Sequence, residues 1–217
     1  MRAHRQPALL GAFALSALAL SACSSGSSEP ASSAAATPAT QSAAAVEAAG
    51  DYLVGDTGPG GGIVFYDAGS VQPWGRYLEA GPQLAPTDWC GDDWELDVAG
   101  TKETIGAGAA NTELIAAACE EGAANTVSDY DGGGKTDWFL PSKDELKPLY
   151  EQRETVGGFG LPGNDWSSFE TYWSSTQGDV ATTGFTDVAW AQDFDGGAQQ
   201  GDWGKGNMFG VRPVRAF

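Results

Sequence analysis

Histidine is all but absent from this 217-residue chain, which has one, His4, and only three cysteines, at positions 23, 90 and 119. Cations are scarce as well: 11 Lys and Arg stand against 29 Asp and Glu, a formal charge of −18. Phosphate backbones are bound by clustered Lys and Arg, so the balance excludes a nucleic-acid partner. It equally excludes electrostatic adsorption to anionic lipid. Long apolar runs are missing too. The longest, residues 8–20, falls short of the roughly 20 residues that cross a bilayer.

That run is read as a targeting signal. Arg2 and Arg5 form a positive n-region ahead of it, and it ends in Leu20-Ser21-Ala22-Cys23, the pattern of a bacterial lipobox. Small residues before the scissile bond suit a signal peptidase, and the Cys23 thiol is the acceptor for a fatty-acyl (palmitate) anchor. The expected division is a lipoprotein signal peptide over 1–22, an acylated Cys23 with a flexible Ser/Ala/Pro tether over 23–50, and a folded domain over 51–217. Cleavage removes Arg2, Arg5 and the only histidine, so 11 basic residues fall to 9, and 9 − 29 gives −20. With no histidine left, Ser-His and Cys-His nucleophilic sites and imidazole-bound zinc are excluded. Export places the protein where thiols oxidise, and a Cys90–Cys119 disulfide is the expected pairing, with two buried thiols as the alternative.

Residues 24–50 lack aromatic side chains and cannot bury enough apolar surface to offset their ordering entropy. As a coil they reach about 30 Å. All 8 Trp lie beyond them, which places the packed core in 51–217. There, short apolar runs predict strands at 63–66, 74–79, 172–174, 189–194, 197–203 and 211–215, with Asp195-Gly196 as a hairpin turn. A helix is predicted from Asn111 or Thr112 to about Glu121, with Leu114, Ile115, Ala118 and Cys119 on one face. Another starts at Ser142, whose spacing to Glu145 is that of a capping box, and Pro148 is expected to shorten or kink it. Short strands, two helices and long Gly/Asp-rich loops predict an α+β domain.

Five phrases carry a resemblance. They are Gly55-Asp56-Thr57-Gly58-Pro59-Gly60-Gly61-Gly62-Ile63-Val64-Phe65-Tyr66, Tyr77-Leu78-Glu79-Ala80, Asp137-Trp138-Phe139-Leu140-Pro141-Ser142-Lys143-Asp144-Glu145-Leu146, Tyr172-Trp173-Ser174-Ser175 and Val211-Arg212-Pro213-Val214-Arg215. In this order they resemble the C-terminal domain family of the Legionella collagen-like adhesin. The resemblance implies a C-type-lectin-like α+β fold, a helix after the Leu-Pro-Ser step, surface placement and adhesion. The adhesin's domain binds sulfated glycosaminoglycans. A mature charge of −20 repels sulfate, so the fold and the binding role are carried over and the ligand is not.

Candidate sites follow from residue chemistry. The glycine run 58–62 lacks the Lys-Ser/Thr ending of a phosphate loop and precedes a strand, so it reads as a turn. Asp129, Asp131 and Asp137 alternate with glycines as candidate calcium ligands, although Leu140 stands where an EF-hand places its bidentate Glu. Asp193, Asp195 and Asp202 form a second acidic group. Trp89, Trp94, Trp166 and Trp203 lie in polar loops and are the candidate rings for stacking on a sugar, whereas Trp138, Trp173 and Trp190 are expected in the core. Arg212 and Arg215 are expected to pair with acids.

The expected protein is a non-enzymatic, lipid-anchored binding module of the cell envelope, outside the cytoplasm, engaging a glycan or a surface protein. A structural envelope lipoprotein is the first alternative. A glycan hydrolase using carboxylate pairs such as Asp92/Asp93 or Asp144/Glu145 is the second. Cys23→Ala is predicted to abolish palmitate labelling and to move the protein from the membrane fraction to the soluble extracytoplasmic fraction.

Overall fold

A computed structural model describes residues 50–160 and 170–217; the expected signal peptide, Cys23, nearly all of the tether and Trp166 lie outside them. The described residues form a mixed α+β domain with two sheets. The first sheet joins β1 (Ile63–Gln72), β2 (Gly75–Ala80) and β8 (Val214–Ala216) in the order β1-β2-β8, antiparallel throughout. In the second are β3 (Leu84–Thr87), β4 (Thr171–Gln177), β5 (Val188–Asp193), β6 (Gln199–Gly204) and β7 (Phe209–Val211). Their order is β3-β7-β4-β5-β6, and only β4 and β7 run parallel.

The predicted strand 211–215 is two strands. Pro213 has no N–H to donate to a ladder, and the chain leaves the second sheet at Val211 and enters the first at Val214. One short phrase therefore ties the two sheets together. The sheet interiors carry two apolar clusters, one around Trp89, Trp138, Trp173 and Ile115, the other around Phe65, Leu78, Leu146, Tyr172 and Phe194.

Of the five α-helices among the described residues, α1 (Gly108–Ala118) and α3 (Lys143–Glu151) are the longest; α2 (Ala123–Ser128), α4 (Arg153–Val156) and α5 (Val180–Thr183) are one or two turns. The α3 start follows its sequence: Ser142 caps it, and Glu145 accepts from the Ser142 N–H at 2.7 Å in a complete capping box. The helix continues one further turn past Pro148 before ending at Glu151. For α1 the prediction fails at the start and holds only in part for the face, where Ile115 and Cys119 are buried but Ala118 is exposed. The helix begins at Gly108 and buries Gly108, Asn111, Thr112 and Ile115, leaving Leu114 exposed. Neither Asn111 nor Thr112 caps it. Asn111 instead bridges the backbone N–H and C=O of Lys102, and Thr112 Oγ1 accepts from the Leu140 N–H at 3.0 Å. Two polar residues that read as an entrance are buried ties between helix and loops.

The glycine run wraps a carboxylate from its own fold. Glu79, fully buried on β2, accepts from Gly60 N–H at 2.9 Å and Gly62 N–H at 2.9 Å, and from Arg215 Nη1 at 3.0 Å. A Cβ at residue 60 would sit 2.8 Å from both Glu79 Oε1 and the Trp138 ring. Glycine is required because backbone and carboxylate approach this closely. Nearby, the chain end closes on the start of the domain: Phe217 pairs with the backbone of Arg76 and Tyr77, and its ring meets Tyr52 edge-on at 5.1 Å.

Cys90 and Cys119 form a disulfide with a Cα–Cα distance of 5.2 Å, which fastens the end of α1 to the loop after β3. With a sequence separation of 29, closing that loop in the unfolded chain is worth about 3 kcal/mol. Changing both cysteines to alanine is predicted to lower the unfolding free energy in urea by that amount.

Candidate functional site

Exposed apolar and acidic groups gather around the turn that follows β6, and one lysine organises the turn. Lys205 is buried, at 1% exposure. Its Nζ donates to Leu96 O at 2.6 Å and to Gln177 Oε1 at 2.8 Å, and lies 4.5 Å from the centre of the Trp89 ring. Its backbone N–H donates to Asp187 O, and its carbonyl accepts from the Trp89 N–H. Segments 89–97, 177 and 187 are thus gathered by a single residue. Burial pulls its ammonium down to about 8, against the opposing pull of Asp97 and Asp187.

Large side chains project from this frame. Trp94 is 54% exposed, and its ring packs on the backbone of Gly206. Leu96, Phe185 and Met208 are exposed as well. Phe185 lines an open cleft of about 510 Å³ with Asp187, Asp202 and Gly204. A second cleft of about 360 Å³ runs from Asp97 and Thr101 to Asp179 and Val180. Rings and carboxylates share one end of the second sheet.

The four candidate tryptophans separate. Trp94 holds an exposed position on this end. Trp89 does not: it is fully buried, and its Nε1 donates to Ser174 O at 2.8 Å, so the ring is a core element closed to a ligand. Local polarity misled here, because Asp88 and Gly91 form a tight turn whose carboxylate caps Gly91 N–H while the ring points inward. Trp203 is half-buried on β6 and packs edge-on against Phe209 at 5.2 Å. Trp166 lies outside the described residues. Among the tryptophans expected in the core, Trp138 and Trp173 are buried, while Trp190 is half-buried beneath Lys143 Nζ at 4.1 Å.

The three acids proposed as calcium ligands do not converge as a side-chain cluster. Among the described residues no three His, Cys, Asp or Glu side chains group to hold a metal ion. Asp129 follows α2 as its C-cap, a 3-10 turn at Gly132–Gly134 leads the chain away past Asp131, and Asp137 is engaged by Arg215 Nε at 2.5 Å. Asp137 is committed through its carboxylate, whereas Asp129 and Asp131 enter their local turns through backbone N–H and C=O. Asp193 is likewise committed, accepting from Asp195 N–H and Gly196 N–H in the β5–β6 turn.

The two C-terminal arginines behave differently. Arg215 pairs with Glu79 and Asp137, as their abundance of acidic neighbours suggests. Arg212 pairs with no carboxylate among the described residues; it donates to Gly158 O at 2.7 Å and Gly157 O at 3.1 Å beneath the Phe159 ring. Burial draws its guanidinium down to about 10. Of the carboxylate pairs suggested for hydrolysis, Glu145 is buried and bound by the Ser142 and Gly106 N–H groups, and burial pushes its carboxyl up.

Sequence reasoning missed Phe185 and Lys205. Phe185 carried a signal, a lone large ring between glycine and threonine in a polar stretch. Lys205 carried none, since a lysine flanked by glycines reads as solvated. Neither protein-family models nor curated proteins match this chain.

Trp89→Ala is predicted to cost about 3–5 kcal/mol of stability, as for a large buried ring. Trp94→Ala is predicted to cost under about 1 kcal/mol. Urea titrations of the two variants measure the contrast.

Proposed function

We propose that the chain is a lipoprotein of the cell envelope, anchored through Cys23, whose domain is a C-type-lectin-like binding module for a neutral glycan. The observation that carries the ligand class is the turn after β6, where exposed Trp94 packs on Gly206 and exposed Phe185 shares a cleft with Asp187, Asp202 and Gly204. Aromatic rings stack on the apolar faces of sugars, and carboxylates accept from sugar hydroxyls. The charge of the chain repels sulfated or uronic polymers and leaves hydroxyl-rich neutral ones favoured. The lectin-like fold is supported by the ordered phrases and by a mixed α+β domain with two sheets, two main helices and a disulfide. Export is supported by the signal-like N-terminus, and more weakly by the disulfide.

A glycan array probed with the purified protein, with calcium and again with a chelator, tests this. Neutral glycans are expected to bind in both conditions, and Trp94→Ala and Phe185→Ala are each expected to weaken binding by about tenfold or more. Silence across the array from a well-folded sample moves the reading to an envelope protein partner. Loss on chelation brings a metal back.

A further inference from the structure

Lys205 and Gln177 meet in a geometry that glycan binding does not call for. The amine is sealed under Trp89, and Gln177 is 8% exposed. Both ends of the Gln177 amide are held. Its oxygen accepts from Val98 N–H at 2.6 Å as well as from Lys205 Nζ at 2.8 Å, and its nitrogen donates to Asp97 Oδ1 at 2.6 Å. An amine, a carbonyl oxygen held by two donors and a carboxylate at the amide nitrogen are thereby brought together by three consecutive contacts.

We infer that this cluster is the site of an intramolecular amide bond between Lys205 Nζ and Gln177 Cδ, formed by the protein on itself. The free amine attacks Cδ, and the Val98 N–H steadies the negative charge that develops on Oε1. Nζ releases one proton as the new bond forms, and Asp97, held against Nε2 at 2.6 Å, delivers one to the departing nitrogen. The Cδ–Nε2 bond then breaks, and ammonia leaves. An amine and a primary amide become a secondary amide and ammonia, with no change of oxidation state and no added reagent. The lowered ammonium, at about 8, supplies on the order of a hundredfold more free amine near neutral pH than an ordinary lysine does. Asp97 and Asp187 are the charged groups that face it. The bond would join the last residue of β4 to the residue after β6, spanning β5 between them. It stands independently of the glycan reading.

Tryptic mapping of the full chain, with the disulfide reduced and alkylated, tests it. No Lys or Arg lies between Arg153 and Lys205, and Arg212 is protected by Pro213. The unbonded protein therefore yields peptides 154–205 and 206–215. A bonded Lys205 resists trypsin, and the expected product is 154–215, lighter by one ammonia, about 17 Da. A second cut before Asp187 should leave its pieces still joined, which separates a cross-link from a missed cleavage or a cyclised side chain. Asp97→Asn retains both partners and is expected to lower the bonded fraction at least tenfold, and Lys205→Arg to remove it. Recovery of 154–205 ending in an unmodified Lys205 overturns the proposal, whatever the glycan array shows. Bonding in Asp97→Asn at the wild-type level overturns the role given to Asp97.

Discussion

A charge buried without water must find all its partners inside the protein, and Glu79 sets that condition for the first sheet. A carboxylate in the interior is tolerable only when its oxygens are matched by donors and its charge by a cation. The chain meets the demand on β2 from two distant places: the turn at residues 58–62 and Arg215 on β8. At position 60 the Glu79 carboxylate and the Trp138 ring occupy the space a side chain would need, and at 62 the backbone carbonyl of Ala80 does so ahead of the carboxylate. A run that superficially resembles an anion-binding loop is one, with the anion supplied by the protein. Asp137 extends the arrangement to the surface through Arg215, so the start of the domain, its third quarter and its end are held by one ionic cluster.

The second sheet repeats the logic with the sign reversed. Lys205 is an interior cation met by a backbone carbonyl, an amide oxygen and an aromatic face rather than by a carboxylate. Arg212 is a further case, satisfied by two glycine carbonyls and Phe159. Lys205, Arg212 and Arg215 are all buried. In a chain with few cations, their withdrawal leaves the solvent-facing surface more acidic than the formal charge conveys. That asymmetry bears on the choice of partner, because polyanions meet repulsion without compensating contacts while neutral hydroxyl-rich molecules do not.

Legibility from sequence varied with the range of the interaction concerned. The α3 capping box was readable because Ser142 and Glu145 act within one turn, and the mixed α+β class was readable from the alternation of short apolar runs and turn residues. The disulfide was favoured from compartment and count, and it is present. What escaped depends on contacts distant in sequence. Asn111 and Thr112 have good capping chemistry, yet Lys102 and Leu140 compete successfully for their side chains. Trp89 sits among polar neighbours but is drawn inward to Ser174, 85 residues away. The acidic loop supplied ligand types without the convergence that only a fold can provide. Lys205 illustrates the limit most sharply, since its partners at 96 and 177 have no expression in the residues around it.

The meeting of Tyr52 and Phe217 on the first sheet makes the domain nearly a closed ring. Tyr52 and Phe217 both lie against Tyr77 of β2. Any tension delivered through residue 51 arrives beside Arg76, which holds Asp51 at 2.8 Å, and is shared with Phe217 before it reaches the second sheet. The same closeness means that the order of elements along the gene is only one of several that describe this object. A short bridge across the ends, with a new opening in an exposed loop, writes the same architecture from a different starting point.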